Sequence, residues 1–210
     1  MRKKRKLPLF VIGCLALLLI TTVFAFWSGK MEHTNQLKAD QIDAKIEEVF
    51  DKDSKPTGTV KKEVSFKNNS SNACFLRVAY SETWEKEEED GNILLNNQVN
   101  GTSVATKDWK AGFGETSELW TDGGDGWFYY NKILKPGTQT EKILESVSFP
   151  NYSGNYKEYE NAQYQLYFRM ELLQASDSQS TLNSDEVNQK ASKTVFGKEA
   201  VVNGDTVSWK

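Results

Sequence analysis

The chain has 210 residues, 26 Lys and Arg against 29 Asp and Glu, a net charge of −3, two cysteines and a single histidine. The acidic excess, which grows to −8 without the basic N-terminal cluster described below, argues against nucleic-acid binding, which wants Lys and Arg gathered on one face. One histidine also excludes an H-E-x-x-H zinc site, which needs two a helical turn apart, and no G-x-x-x-x-G-K-[ST] phosphate loop is present.

At the N-terminus Arg2, Lys3, Lys4, Arg5 and Lys6 form a basic cluster, followed by an apolar run from Leu9 to Ile20 and by Thr21-Thr22-Val23-Phe24-Ala25-Phe26-Trp27. A positive segment, a short apolar core and small residues at the −3 and −1 positions are the parts of a secretory signal. Val23 and Ala25 suit those positions, so cleavage is expected between Ala25 and Phe26. The alternative is a retained membrane anchor, because the apolar stretch through Phe26 approaches the length that spans a bilayer. The short apolar core and the processing site favour cleavage. The expected organisation is a signal peptide at 1–25, a flexible arm at 26–38 and a folded domain at 39–210. Losing five basic residues leaves 21 against 29 acidic ones, a net of −8. Cys14 leaves with the signal, so no intrachain disulfide is possible, and Cys74 is expected as a small buried residue in a strand. The remaining 185 residues suffice for one domain with a core.

Asp40 to Phe50 places Ile42, Ile46 and Val49 at i, i+4 and i+7, which predicts a short amphipathic helix. Val60 to Phe66 aligns Val60, Val64 and Phe66 as a strand. A polar turn at Lys67-Asn68-Asn69-Ser70-Ser71-Asn72 leads to Cys74–Tyr80, its expected hairpin partner, with Cys74, Leu76, Val78 and Tyr80 on one face. Residues 85–108, low in large apolar side chains, read as an irregular excursion. Trp127-Phe128-Tyr129-Tyr130 lies between the turn signals Asp122-Gly123-Gly124-Asp125-Gly126 and Lys135-Pro136-Gly137, and reads as a short aromatic strand. Ile143, Val147 and Phe149 continue the series, and 151–161 is a connection. The clearest strand is Tyr164 to Leu172, with Tyr164, Leu166, Phe168, Met170 and Leu172 on one face. Residues 176–195 read as a loop with a helical turn or two at Ser184 to Lys190, and Val207 and Trp209 close the chain. Many short strands without βαβ alternation predict an all-β antiparallel sandwich with one or two short helices.

Catalytic chemistry finds little support. A Ser-His-Asp or Cys-His arrangement would have to use His33, which lies in a polar stretch near the new N-terminus and reads as a solvated side chain. The acidic run Glu85, Glu87, Glu88, Glu89 and Asp90 and the Asp122–Gly126 loop carry the oxygen donors calcium prefers. Asp122 and Asp125 nevertheless lack the spacing and terminal Glu of an EF-hand, so these segments read as a solvated loop and a turn. A glycosidase-like carboxylate pair meets only in space, and the sequence leaves it open. No catalytic residue, metal ligand or cofactor is assigned, and the protein is expected not to be an enzyme.

The basic start followed by Thr-Thr-Val-Phe-Ala25-Phe26-Trp27-Ser28 resembles signals processed by the SipW-type, ER-like signal peptidase of Gram-positive bacteria. Lys62-Glu-Val-Ser-Phe66-Lys-Asn68, Phe75-Leu-Arg77-Val78, Gly126-Trp127-Phe-Tyr129-Tyr130-Asn-Lys-Ile-Leu134-Lys-Pro136-Gly137 with Thr140, and Glu171-Leu-Leu-Gln174-Ala175 resemble the BsaA-like group of exported matrix proteins, and more distantly TasA and camelysin. The resemblance implies a jelly-roll-like β-sandwich that polymerises outside the cell, with the segment after the signal acting as a donor strand in the next copy. In that scheme Phe26, Trp27 and Leu37 are the anchors of the arm, and Arg77, Trp127, Tyr129, Tyr130, Leu134, Pro136 and Gly137 are structural. The implied partners are other copies of the chain, the SipW-type peptidase, and co-exported matrix proteins or polysaccharide. The proteolytic label attached to camelysin does not carry over, because recognisable zinc ligands are missing. A second reading is an accessory or adhesin-type module that recognises a polysaccharide or surface through Trp84, Trp109 and Trp120 in the region 81–125.

Overall fold

The structure, a computed structural model, describes residues 44–50, 57–176 and 184–210. The expectations for Val23, Ala25, Phe26, Trp27, His33 and Leu37 lie outside the described residues. Among the described residues thirteen strands run in chain order: β1 (Ala44–Phe50), β2 (Thr59–Asn68), β3 (Cys74–Glu88), β4 (Gly91–Leu95), β5 (Gln98–Val99), β6 (Thr102–Ser103), β7 (Thr106–Trp109), β8 (Trp120–Asp122), β9 (Phe128–Tyr130), β10 (Leu144–Ser148), β11 (Gln163–Gln174), β12 (Ala200–Asn203) and β13 (Thr206–Trp209). A 3-10 helix (Gly154–Tyr159) precedes β11, and helix α1 (Ser184–Phe196) precedes β12.

One sheet has the order β1-β2-β10-β7. The other runs β11-β3-β9-β8, with β4 pairing the far end of β3, and β5–β6 and β12–β13 are separate two-stranded ribbons. Every pairing is antiparallel. The two larger sheets share a core: Val64 and Phe66 from β2 and Leu144 and Val147 from β10 meet Leu76, Val78 and Trp84 from β3. The fold is thus all-β and sandwich-like, with two short helices.

The period-two patterns hold where they are strongest. On β11 the expected row of Tyr164, Leu166, Phe168, Met170 and Leu172 packs on this core. Cys74 is a free, buried thiol, as expected. On β3 both rows are apolar at the start of the strand. Leu76 and Val78 face the shared core, while Phe75 turns outward into a second cluster with Tyr129, Phe196, Ala200 and Val207. Helix α1 and the β12–β13 ribbon therefore cover the outer side of β3.

Several expectations are overturned. Residues 44–50 form a strand and not a helix: seven residues are too few for periodicity to separate the two, and the open edge of β2 offers Ile46 a partner in Phe66. Residues 85–108 carry the end of β3 and strands β4 to β7, because pairing with neighbours supplies what their polar side chains do not. Helix α1 extends through Phe196, whose ring is buried in the second cluster.

Nor do β2 and β3 form a hairpin. The turn between them is a corner that carries the chain from one sheet to the other. Asn68, fully buried, explains why. Its Nδ2 donates to the carbonyls of Asn72 (2.8 Å) and Leu134 (2.9 Å), and its Oδ1 accepts from Ser70 N (2.9 Å) and Ser70 Oγ (2.6 Å). Its backbone pairs with Gly137 and Thr138. The turn Lys135-Pro136-Gly137-Thr138 has Pro at its second position and a left-handed Gly137 (φ 71°) at its third, the type II signature, and so presents those groups to Asn68. The backbone of the corner is thus satisfied by residues 134–138, which frees β3 to join the other sheet.

An Asn68→Ala substitution removes four hydrogen bonds from a buried site: Leu134 O keeps Cys74 N and Asn72 O keeps Ser70 Oγ, while the Ser70 amide loses its bond to Asn68, at about 1–3 kcal/mol for a buried group left unsatisfied. The urea midpoint of the 26–210 protein is expected to fall sharply for Asn68→Ala and to stay near wild type for its exposed neighbour in Asn69→Ala. Equal midpoints would show that Asn68 does not hold the corner.

Candidate assembly interface

β11 pairs with β3 in unbroken register from Gln163↔Glu85 to Gln174↔Cys74. Among the described residues no strand pairs with its other edge. Such an edge presents a row of backbone donors and acceptors that templates a further strand. Its core-facing side chains are also incompletely covered: Leu166, Phe168, Met170 and Leu172 are only half-buried, whereas Leu76 and Val78 on the neighbouring β3 are fully buried. β1, the edge of the other sheet, comes close to β11 on this side, and Ile46 there is likewise half-buried. The edges of both sheets therefore meet at a seam where the core shows through. On the outer face of β11 Tyr167 stands 57% exposed.

The two sheets are tied by a polar strut. Lys107 on β7 donates to both carboxylate oxygens of Glu82 on β3 (2.7 and 2.6 Å), and Tyr164 Oη on β11 donates to the same carboxylate (2.6 Å). Burial and then the bond to Glu82 push the Tyr164 phenol well above its ordinary value. Along β3 the strut lies in the stretch Ala79–Thr83, beyond the β9 pairing that ends at Val78 and before the β4 pairing that begins at Trp84. Tyr80 in that stretch packs against Trp109 (ring centroids 4.9 Å), Phe113 and Phe128.

The residues singled out by the resemblance fall in three places: the Asn68 corner, the outer face of β3 and the shared core. Leu134, Pro136 and Gly137 build the Asn68 corner. Arg77 and Trp127 and Tyr129 form a latch on the outer face of β3. Arg77 Nε and Nη2 donate to Glu171 Oε2 (2.9 and 2.6 Å), and Nη1 donates to the Phe196 carbonyl (3.0 Å). The guanidinium lies between the rings of Trp127 (4.3 Å) and Phe196 (4.6 Å). Tyr129 Oη donates to Asp125 Oδ2 (2.7 Å) and lies 3.0 Å from the Phe196 carbonyl. Tyr130 points the other way, into the shared core, with its Oη on Glu141 (2.7 Å).

The Asp122–Gly126 loop serves this latch. Asp122 Oδ1 accepts from Gly124 N and Asp125 Oδ1 from Trp127 N, and a Cβ on Gly123 would come within 2.5 Å of the Tyr129 ring. In the acidic run, Glu85 accepts from Asn92 and from Gln165, and Glu88 pairs with Lys86. Among the described residues no group of three or more His, Cys, Asp and Glu is arranged to hold a metal ion. Two of the three tryptophans expected at a ligand face are core residues: Trp84 and Trp120 are fully buried, and Trp84 Nε1 is bonded to Asn97 (2.9 Å). Half-buried Trp109 lies between Tyr80 and Phe113. Comparison with models of known protein families, with curated proteins and with solved structures gives no match.

The latch sets a pH window. For Glu171 burial alone would raise the pKa, but the bond and charge of Arg77 outweigh it and hold the carboxyl below its ordinary 4.5. Its contribution to stability is complete above 4.5 and lost as the pH falls through the lower folded value. Tyr129 is pushed up from 10.0 to about 12, first by burial and then by Asp125. Its contribution is complete below 10.0 and lost as the pH rises through about 12. Urea midpoints measured across the pH range are expected to fall on both flanks, with the alkaline fall shallower in Tyr129→Phe and the acid fall shallower in Glu171→Gln. Unchanged slopes would show that the latch does not titrate with folding.

Proposed function

We propose that the chain is a secreted structural protein that self-assembles by donor-strand exchange into extracellular biofilm matrix or surface fibres. In this reading a SipW-type peptidase cleaves between Ala25 and Phe26, and the domain is a jelly-roll-like sandwich. The arm Phe26–Lys38 then adds to the sandwich of the next copy, with co-exported matrix proteins or polysaccharide as further partners. The observation that carries the reading is β11: a long edge strand, paired on one side among the described residues, with a half-covered apolar row facing the core. A strand added at such an edge gains main-chain hydrogen bonds, and its side chains enter the spaces along the row. Phe26 and Trp27 supply large apolar anchors, and burying both contributes on the order of several kcal/mol at ~25 cal/mol per Å² before the arm is ordered. The burial of Trp84 and Trp120 takes away two of the three tryptophans on which the polysaccharide-binding alternative rests.

The test is concentration-dependent assembly of residues 26–210, followed by light scattering after size exclusion and by negative-stain microscopy. Oligomer ladders or fibres are expected, and they are expected to vanish on deleting Phe26 to Lys38 while the domain stays folded. Normal fibres from the truncated chain would sink the donor role of the arm, and a monomer at every concentration would sink assembly.

A further inference from the structure

β1 is a short edge strand beside the seam. It is the first described strand, its sole neighbour in the sheet is β2, and its ladder runs over seven pairs from Ala44↔Asn68 to Phe50↔Lys62. β2 and β10, by contrast, each hold two neighbours. The chain between β1 and β2 reads Asp51-Lys52-Asp53-Ser54-Lys55-Pro56-Thr57-Gly58, without one large apolar residue to bury. Gly58 at its end has φ 64°, with no atom within 4 Å of where a Cβ would stand.

β1 also lies where the seam is. In place, it covers the edge of β2, whose Val64 and Phe66 are fully buried, and it approaches β11. Withdrawn, it leaves both sheet edges open on one side, and the strand that fits this opening is another β1. Exchange between copies remakes the same ladder and the same Ile46–Phe66 contact. Its cost is therefore that of association, and it proceeds with rising concentration. Because β1 follows the arm directly, a β1 that enters a neighbour carries the arm with it. The result is a head-to-tail chain with a free β2 edge at one end and an undonated β1 at the other.

We propose that β1 is itself exchanged, pairing with β2 of the next copy in the register it holds at home; this rests on the assembly reading above. The test is a disulfide across the home register. Lys45 and Lys67 face each other on the solvent side, and directly opposed antiparallel residues have the Cα separation a disulfide needs. Lys45→Cys/Lys67→Cys is prepared in the 26–210 protein, oxidised as a monomer and then raised in concentration. Glu47→Cys/Ser65→Cys, a second opposed pair, guards against a local packing defect.

The oxidised monomers are expected to carry an intramolecular bond and to lose assembly, and reduction is expected to restore it to the wild-type level. Oxidising after assembly is expected to yield disulfide-linked chains on a non-reducing denaturing gel. Oxidised monomers that assemble like wild type would overturn the exchange of β1 while leaving a donor arm standing. The same holds if assembled material oxidises to intramolecular bonds alone. A wild-type chain that never assembles overturns both readings.

Discussion

β3 has to be covered on both faces at once, and most of the architecture follows from that. Successive side chains of a strand point to opposite sides, so a strand with two apolar rows cannot lie at a surface. Leu76, Val78 and Trp84 take the inner side, against the sheet built on β2 and β10. Phe75 takes the outer side, and the chain supplies the cover from its own C-terminal end: Phe196 from α1, Ala200 from β12 and Val207 from β13. β9, beside β3, is divided in the same way, with Tyr130 in the inner cluster and Tyr129 in the outer one.

Polar groups fix how these layers meet. The carboxamide of Asn68 holds the corner between the sheets, the Glu82–Lys107 pair joins them near Tyr80, and Arg77 pins the C-terminal cover to β3 through Glu171 and the Phe196 carbonyl. A partly buried ion pair adds little net stability against an apolar substitute, but leaving one member alone is costly, so such pairs select one arrangement over its neighbours. Trp84 follows the same rule: its indole N–H is bonded to Asn97, which also holds Ala105. The aromatic residues are thus packed by geometry as well as by area.

The covered and uncovered edges of the sandwich differ in kind. The β3–β4 ribbon ends in a run of carboxylates, a charged tip of the sort that discourages edge-to-edge pairing, although Leu94 on it stays 73% exposed. The side formed by β1 and β11 has no such protection along its apolar row. Arg169 and Glu171 lie on the opposite face of β11 and turn toward the latch. In the assembly proposed above, this half-covered edge beside the first described strand would accept a segment from another copy.

By itself the sequence determined the elements whose pattern is long and strict. Tyr164 to Leu172 alternates over nine positions and could be placed as a half-buried strand facing a core. Cys74 to Tyr80 and Val60 to Phe66 were legible for the same reason, and the turn at Pro136 and Gly137 was legible from its residue types. The tertiary structure alone decided which strand lies beside which. Whether residues 44–50 became helix or strand depended on the open edge of β2, since seven residues carry no decisive period. Whether the polar turn after Asn68 closed a hairpin or turned a corner depended on residues 134–138, far along the chain, reaching its carbonyls and amides. The edge of β11 was invisible in its sequence, because alternation reports which side of a strand is buried and says nothing of its neighbours. Strand order is a sum of long-range contacts, and no local pattern contains it.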